Sequence, residues 1–257
     1  TNALKALSEQ LLEQLLGHRP RTVDVRTTDS LAMAILTETR CPMPRAASTE
    51  DRRKALDRAR ASLGSGADDL EAFLEAASLD TLPVDYLLEE FDWVIEGQGL
   101  STLEEYEAVS RSGRGVRLDR PLRRRVWELH RAWKEDLARK HLATWGEIRS
   151  RALQAIQTGR ASRLYDYVLV DEAQDLTPVA LRLCVAVCRD SRGLFLAADA
   201  GQSLYNRGFS WARVHESNER GISAMAMPLV DAYIGEAIGA VSIAGPSILL
   251  TEGRMRE

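Results

Sequence analysis

The sequence is poor in cysteine, and its charges almost cancel. Three cysteines among 257 residues are too few and too scattered for a disulfide framework or a zinc site. With 34 basic and 38 acidic residues, the formal net charge is −4, so any contact with nucleic acid must come from a local patch. No signal peptide and no uncharged run of membrane-spanning length occurs, which predicts a cytoplasmic protein without a membrane partner.

The run from Tyr165 to Asp175 (YDYVLVDEAQD) predicts a buried strand that ends in two acids. Tyr167 to Val170 is continuously apolar, as in a central parallel strand covered on both faces. Asp171 and Glu172 follow at its carboxyl end, where open α/β sheets place their ligands. Thr177 then provides the N-cap of a following helix.

A second strand, Gly193 to Ala198, comes after that helix and ends in a polar cluster that contains Gln202. Two polar strand ends joined by a helix predict a phosphate and metal site. In such a site Asp171 would hold Mg²⁺ through water, Glu172 would polarise the attacking water, and Gln202 would sense the γ-phosphate. The alternative is that the two acids only cap the next helix, where the positive end of the helix dipole favours negative charge.

These motifs resemble those of the superfamily 1 helicases of the UvrD/Rep type. Asp171 to Asp175 (DEAQD) is similar to their Walker B box, and Ala198 to Trp211 (ADAGQSLYNRGFSW) is similar to motif III. The amino terminus, from Thr1 (TNAL), is similar to motif Ia. Val23 to Ala32 is similar to the next strand and its T-x-H-S-L loop, with Asp29 where histidine is common.

The resemblance implies an ATP-dependent DNA helicase or translocase of DNA repair, with ATP and Mg²⁺ as cofactors and single-stranded DNA as partner, RNA not being excluded. It implies that Asp171 binds the metal and nucleotide and that Glu172 and Gln202 are catalytic. The residues that it implies for nucleic-acid contact are Thr1, Asn2, Thr27, Thr28, Ser30, Tyr205 and Arg207.

A basic loop, Ser110 to Pro121 (SRSGRGVRLDRP), lies within an otherwise helical segment. Arginine offers a planar fork to phosphate, and interleaved glycine permits close backbone approach. Arg114 and Arg117 are therefore candidates for contact with the backbone of DNA or RNA. The alternative is a solvated loop whose arginines pair with neighbouring carboxylates.

The expected fold class is α/β, with a partial RecA-like P-loop NTPase parallel sheet and a large inserted helical subdomain. A strand at 22–26 and a helix capped by Ser30 are expected near the amino terminus. The helices expected in the insertion are 49–63, 67–78, 83–97, 101–110, 119–140 and 144–158. The expected divisions are the motor core at 1–42 and 160–217, the insertion at 43–159, and an apolar tail at 218–257, where residues 229–243 form a helix.

The sequence contains no G-x-x-x-x-G-K-[ST] loop, and no later helicase motif follows Glu219. We interpret the chain as an internal segment of a helicase, with the remainder of that helicase as its partner. The isolated chain is then expected not to hydrolyse ATP. The alternatives are a non-catalytic remnant, a nucleic-acid-binding module without ATPase activity, and a regulatory ATPase that does not unwind.

Overall fold

The computed structural model describes residues 2–18, 22–39, 43–64, 79, 81–111, 114–162, 164–190, 193–198, 222–230 and 237–246. For residues 2–4, 64 and 198 and for the last two ranges it describes the backbone only. Its helices are α1 (Asn2–Leu16), α2 (Thr28–Glu38), α3 (Thr49–Gly64), α4 (Val84–Glu89), a π-helical segment (Glu90–Ile95), α5 (Glu96–Gln98), α6 (Leu103–Ala108), α7 (Arg120–Arg139), α8 (Trp145–Gln157), a 3-10 turn (Ala173–Asp175) and α9 (Pro178–Ala186). Its strands are β1 (Arg45–Ala46), β2 (Leu142–Ala143), β3 (Val168–Val170), β4 (Leu194–Ala198), β5 (Ile222–Val230) and β6 (Ala237–Pro246).

Local capping signals set the starts of several helices, and the expected helices of the insertion are confirmed except 67–78, which lies outside the described residues. Thr102 begins α6 with a capping box, in which its side chain accepts from the Glu105 N–H at 3.2 Å and the Glu105 carboxylate accepts from the Thr102 N–H at 3.1 Å. Asp119 caps α7 by accepting from the Leu122 N–H at 3.0 Å. These contacts satisfy backbone donors that the first helical turn leaves free.

Helices α3, α4, α6 and α7 and the π-helical segment share one apolar core. Trp133 and Phe91 are fully buried at its centre, with their ring centroids 4.9 Å apart. The indole N–H of Trp133 donates to the carbonyl of Arg52 in α3 at 3.0 Å, which satisfies the polar atom of a buried aromatic residue. A second core holds α2, α8 and α9 together, so α8 packs beside the acid-bearing strand region.

The four-stranded sheet has the order β3-β4-β6-β5, with β3 and β4 parallel, and β1 and β2 form a separate parallel pair. β6 pairs antiparallel with both β4 and β5. The helix expected at residues 229–243 is therefore wrong, since most of that range lies in β5 and β6. Gly235 and Gly239 fall inside it, and each disfavours a helix interior by about 1 kcal/mol.

The strand expected at 22–26 is also wrong, because none of the described strands supplies a hydrogen-bonding ladder for these residues. They run without regular structure beside the start of β3, where the Tyr165 hydroxyl donates to Asp24 Oδ2 at 2.8 Å. Helix α2 begins earlier than expected. Thr27, and not Ser30, is its cap, and the Thr27 side chain accepts from the Ser30 N–H at 3.1 Å.

Burial alternates along β3 and β4, so the expectation of a strand covered on both faces is wrong for the described part of the chain. Val170 is 9% exposed and packs with Leu181 of α9, whereas Leu169 is 78% exposed. Leu196 and Phe195 of β4 repeat the alternation. Within the described residues, α9 covers one face of this strand pair.

Asp136 in α7 ties α7 to α3, and this contact predicts acid sensitivity. Arg58 donates to Asp136 Oδ2 at 2.6 Å, and with Lys140 and Arg139 it lowers the pKa of the Asp136 carboxyl to about 2. The stabilisation is present above the unfolded-state pKa of about 4 and is lost as the pH falls towards 2. We expect Asp136→Asn to lower the urea midpoint at pH 7, with the difference from wild type vanishing near pH 2.

The control is Asp57→Asn, which changes an exposed aspartate beside Arg58. It should alter the urea midpoint little at any pH, because an exposed carboxylate keeps its solvation. A wild-type to Asp136→Asn difference that stays constant from pH 7 to pH 2 would contradict the assignment.

Candidate functional site

The two acids after β3 lie at an exposed bend at the carboxyl end of the strand. The Glu172 N–H donates to Asp171 Oδ1 at 3.0 Å, and the Gln174 amide donates to Glu172 Oε2. Both carboxylates are solvent-accessible, which suits a hydrated Mg²⁺ that keeps several of its waters. In the described ranges no cluster of three or more His, Cys, Asp or Glu side chains forms a metal site, so a cation here would depend on this pair.

Glu172 has a left-handed backbone conformation, with φ 52° and ψ 42°. This region costs an L-residue with a side chain about 1–2 kcal/mol. The 3-10 turn that follows is closed by a hydrogen bond from the Asp175 N–H to the Glu172 carbonyl at 2.9 Å. The strain turns the chain sharply after β3 and leaves the Glu172 carboxylate at the surface.

The parallel register brings the ends of β3 and β4 to one edge of the sheet. Val170 pairs with Leu196, so the acids directly after β3 and the carboxyl end of β4 lie at the same edge of the sheet. Gln202, which follows β4, lies outside the described residues. Its role as the γ-phosphate sensor stays a prediction.

Three further candidates lie outside the described part of the chain, and the side chain of a fourth is not described. Thr1, Tyr205 and Arg207 are not described, and of Asn2 only the backbone is, as the first residue of α1. Their predicted contacts with nucleic acid stay predictions.

The turn from Thr27 to Ser30 begins α2 and is half-buried. The Ser30 hydroxyl donates to the Thr27 carbonyl at 3.0 Å, and the Thr27 hydroxyl oxygen accepts from the Ser30 N–H. Thr28 is the first helical residue. A helix N-terminus offers N–H donors and a partial positive charge to a phosphate, which suits the predicted contact with a nucleic-acid strand.

Sequence reasoning missed Arg149 of α8, which bridges this turn and α9. Its Nε donates to Asp29 Oδ1 at 2.8 Å, and its Nη1 donates to Thr177 Oγ1 at 3.3 Å. Thr177 in turn caps α9 by accepting from the Ala180 N–H at 3.3 Å. No local signal could have revealed the bridge, because its partners are far apart in the chain.

The basic loop has an inner and an outer side, and Arg114 lies on the inner side. Its Nε donates to Glu90 Oε2 and its Nη1 to Glu89 Oε2, both at 2.9 Å, and its side chain is only 9% exposed. Arg111 also donates to Glu90, whose carboxylate is fully buried. The donors of Arg114 are thus occupied within the protein, as the alternative for this loop anticipated.

The outer side of the loop carries Arg117, which is exposed. Arg120 and Arg124 of α7 lie near it along the chain, and their side chains are 84% and 63% exposed. Each is 3.8 Å from a Glu107 carboxylate oxygen, which is a loose ion pair. This outer side is the part of the loop that can meet a phosphate backbone.

Comparison with known proteins adds a family to this geometry. The family model of the UvrD/REP helicase N-terminal domain matches residues 1–219. A segment of 96 residues is 32% identical to an ATP-dependent helicase/nuclease subunit of Carboxydothermus hydrogenoformans, and it covers 36% of this chain and 8% of that protein. No solved structure matches the chain. Among the described helices, none combines the length and the apolarity needed to cross a bilayer.

The strain at Glu172 predicts an unusual order of stability among its variants. Glycine adopts positive φ without steric cost, whereas alanine keeps the Cβ that creates the strain. Since Glu172 has φ 52°, we expect Glu172→Gly to be more stable than Glu172→Ala by about 1 kcal/mol. Guanidinium unfolding of the two variants measures the difference.

The corresponding pair at half-exposed Glu128, inside α7, provides the control and should show the reverse order. There glycine disfavours the helix by about 1 kcal/mol relative to alanine. An alanine variant at Glu172 as stable as the glycine variant would show that the left-handed turn is not present in solution.

The buried carboxylate of Glu90 predicts a large effect when its arginine partner is removed. Burial alone would raise the pKa of Glu90, but hydrogen bonds from Arg111 and Tyr106 and the charges of the arginines hold it below its usual range. We expect Arg111→Met to destabilise the protein by about 3–5 kcal/mol, because a buried charge loses its main partner. Urea unfolding of this variant and of Arg124→Met, which changes an exposed arginine, tests this. Equal effects would contradict it.

Proposed function

Because the chain belongs to the UvrD/REP helicase N-terminal domain family, we propose that it forms the part of an ATP-driven motor that couples ATP-Mg²⁺ hydrolysis to movement along single-stranded DNA. Members of the family are ATP-dependent helicases with a RecA-like α/β fold that use ATP and Mg²⁺. The described part of this chain, largely helical with a small sheet that contains the parallel pair β3–β4, is compatible with that fold.

The observation that carries the proposal is the exposed acid pair at the carboxyl end of β3. Asp171 and Glu172 follow β3 at the edge of the sheet where β4 also ends, and Gln202 comes shortly after β4 in the sequence. Ligands of parallel α/β sheets bind at this edge. The arrangement supports a nucleotide site built from two neighbouring strand ends.

In the proposed mechanism each residue of the pair has its own task. Asp171 would hold hydrated Mg²⁺, which would supply positive charge to offset the negative charge of the nucleotide phosphates. Glu172, fixed by the left-handed turn, orients that water and accepts its proton. Gln202 would sense the γ-phosphate, and Tyr205 and Arg207 would link that signal to the bound single strand.

The single strand is bound in the proposal by phosphate contacts at separate places. The turn Thr27, Thr28 and Ser30 presents the N-terminus of α2, and Thr1 and Asn2 add contacts at the start of the chain. Arg117 extends the track over the insertion, whereas Arg114 supports the loop from inside through Glu90. Contacts to phosphate are independent of base sequence and weaken with salt.

The matched segment spans only 8% of the curated relative, so the activity of a whole motor is itself a proposal for this chain. The phosphate-binding Gly-Lys loop is not among its 257 residues. We propose that this loop is contributed by additional sequence of the intact motor, and that the 257 residues alone do not turn over ATP.

The test is ATP turnover by the intact motor, with the phosphate-binding loop present, in the presence and absence of single-stranded DNA. We expect Glu172→Gln to reduce kcat at least about 100-fold while Mg²⁺-ATP binding persists, because the amide cannot accept the water proton. The matched control is Glu128→Gln, the same chemical change at a half-exposed position of α7. It should leave kcat within about twofold.

The proposal fails if Glu172→Gln and Glu128→Gln retain the same turnover. It fails equally if the 257 residues alone show DNA-stimulated hydrolysis that Glu172→Gln leaves intact, since the hydrolytic site would then be elsewhere.

A further inference from the structure

The first turn of α2, which we propose contacts the phosphates of a nucleic-acid strand, contains an acidic residue that would oppose this contact. A helix N-terminus attracts a phosphate through its free N–H groups and its dipole. Asp29 lies in this turn, between Thr28 and Ser30, and its side chain is 35% exposed. An unpaired carboxylate there would repel a strand phosphate, so the turn needs a neutralising partner.

Arg149 supplies the neutralising charge from a different helix. Its Nε donates to Asp29 Oδ1 at 2.8 Å, and its side chain is 18% exposed, so the pair is partly shielded from water. The other end of its guanidinium donates to Thr177 Oγ1 at 3.3 Å. A planar fork holds two acceptors in a fixed relation, which a flexible ammonium group does not.

Both acceptors of Arg149 are themselves fixed. Thr177 is 6% exposed and caps α9, the helix that follows the acid pair. Asp29 is held by the regular first turn of α2. Arg149 is held by α8, whose buried Ile148 and Ala152 pack in the core shared by α2 and α9.

We propose that Arg149 is a positioning residue for nucleic-acid binding, which neutralises Asp29 and holds the first turn of α2 against the cap of α9. The inference rests on the proposed function, since it takes this turn as a contact for strand phosphates. Two hydrogen bonds then connect that turn to the helix that follows the acid pair. A phosphate bound at the turn and a metal-nucleotide bound at the acids would each favour the same arrangement of α2, α8 and α9.

The first experiment compares Arg149→Met with Arg151→Met in the 257-residue chain. Each variant removes one positive charge from α8, but Arg151 is 46% exposed and pairs only with Glu147 of its own helix among the described residues. Affinity is measured by fluorescence anisotropy of a labelled oligothymidylate. We expect Arg149→Met to weaken binding on the order of tenfold, the effect of one charge-assisted hydrogen bond, and Arg151→Met to weaken it about twofold or less. Equal losses would overturn the inference.

Salt dependence separates positioning from direct contact. When a residue that contacts phosphate is removed from a single-strand complex, the plot of log affinity against log salt becomes less steep by about 0.7. We expect Arg149→Met and Arg151→Met to have the same slope, with only the affinity differing. A less steep salt dependence in Arg149→Met alone would make Arg149 a phosphate ligand and would overturn the positioning role.

A second substitution at Asp29 tests neutralisation. In the Arg149→Met background, Asp29→Asn removes the carboxylate that lost its partner, so we expect part of the affinity to return. No recovery would contradict the neutralising role. If Arg149→Met does not fold, as judged by circular dichroism, Arg149→Gln carries the same comparisons, since it also removes the positive charge and the guanidinium fork.

Amide hydrogen exchange tests the bridge without any ligand. Arg149→Met should speed exchange both in the first turn of α2 and in the first turn of α9, whereas Arg151→Met should not. Unchanged exchange at both turns would overturn the inference.

If the wild-type chain bound no oligothymidylate, the strand-binding part of the proposed function and this inference would fail together. Wild-type binding with equal losses in the two variants would remove only the inference.

Discussion

The buried carboxylate of Glu96 is the contact on which the described structure depends most. The hydroxyl of Thr144, the cap of α8, donates to Glu96 Oε2 at 2.5 Å, and His130 Nε2 of α7 lies 3.3 Å from Oε1. Burial would raise the pKa of Glu96, but His130, Lys134 and Thr144 together hold it below its usual value, so the group is charged and must stay paired. A Cβ at position 146 would lie 2.5 Å from Oε2, so only glycine at Gly146 allows α8 to start this close.

The segment that contains Glu96, Gly97 and Gly99 also brings the helical insertion into contact with α9, the helix that follows the acid pair. A Cβ at Gly97 would lie 2.6 Å from the Asp92 carbonyl oxygen and 3.1 Å from Thr177 Cγ2. Gly99 has φ 76° and closes α5 where Arg182 of α9 donates to the Gln98 carbonyl at 2.5 Å. The insertion therefore meets the start of α9 by direct backbone approach. At the other end of the π-helical segment, Glu90 holds the basic loop, so one continuous element joins that loop to α9.

The parts of this fold that the sequence predicted are those whose causes are local. Helix starts follow from capping residues such as Thr102 and Asp119, and each acts within its own first turn. The strand before Asp171 followed from its apolar run. By contrast, the Asp29–Arg149 pair and the Glu90–Arg114 pair join distant parts of the chain, and no pattern of spacing identifies such partners. Coverage of the β3–β4 faces also depends on tertiary packing, which is why the exposure of Leu169 was not anticipated.

The residues of the proposed catalytic site depart from the usual local conformational preferences, and the departures elsewhere are compensated by neighbouring structure. Of two non-glycine residues with positive φ in the described part of the chain, His141 follows the end of α7, where a left-handed residue commonly terminates a helix. Glu172 has no helix to terminate, so its strain is explained by the exposed position that it gives the carboxylate. Asp29 is an acid at a proposed phosphate contact, and Arg149 compensates it. The uncompensated strain thus falls on the residue that would activate water.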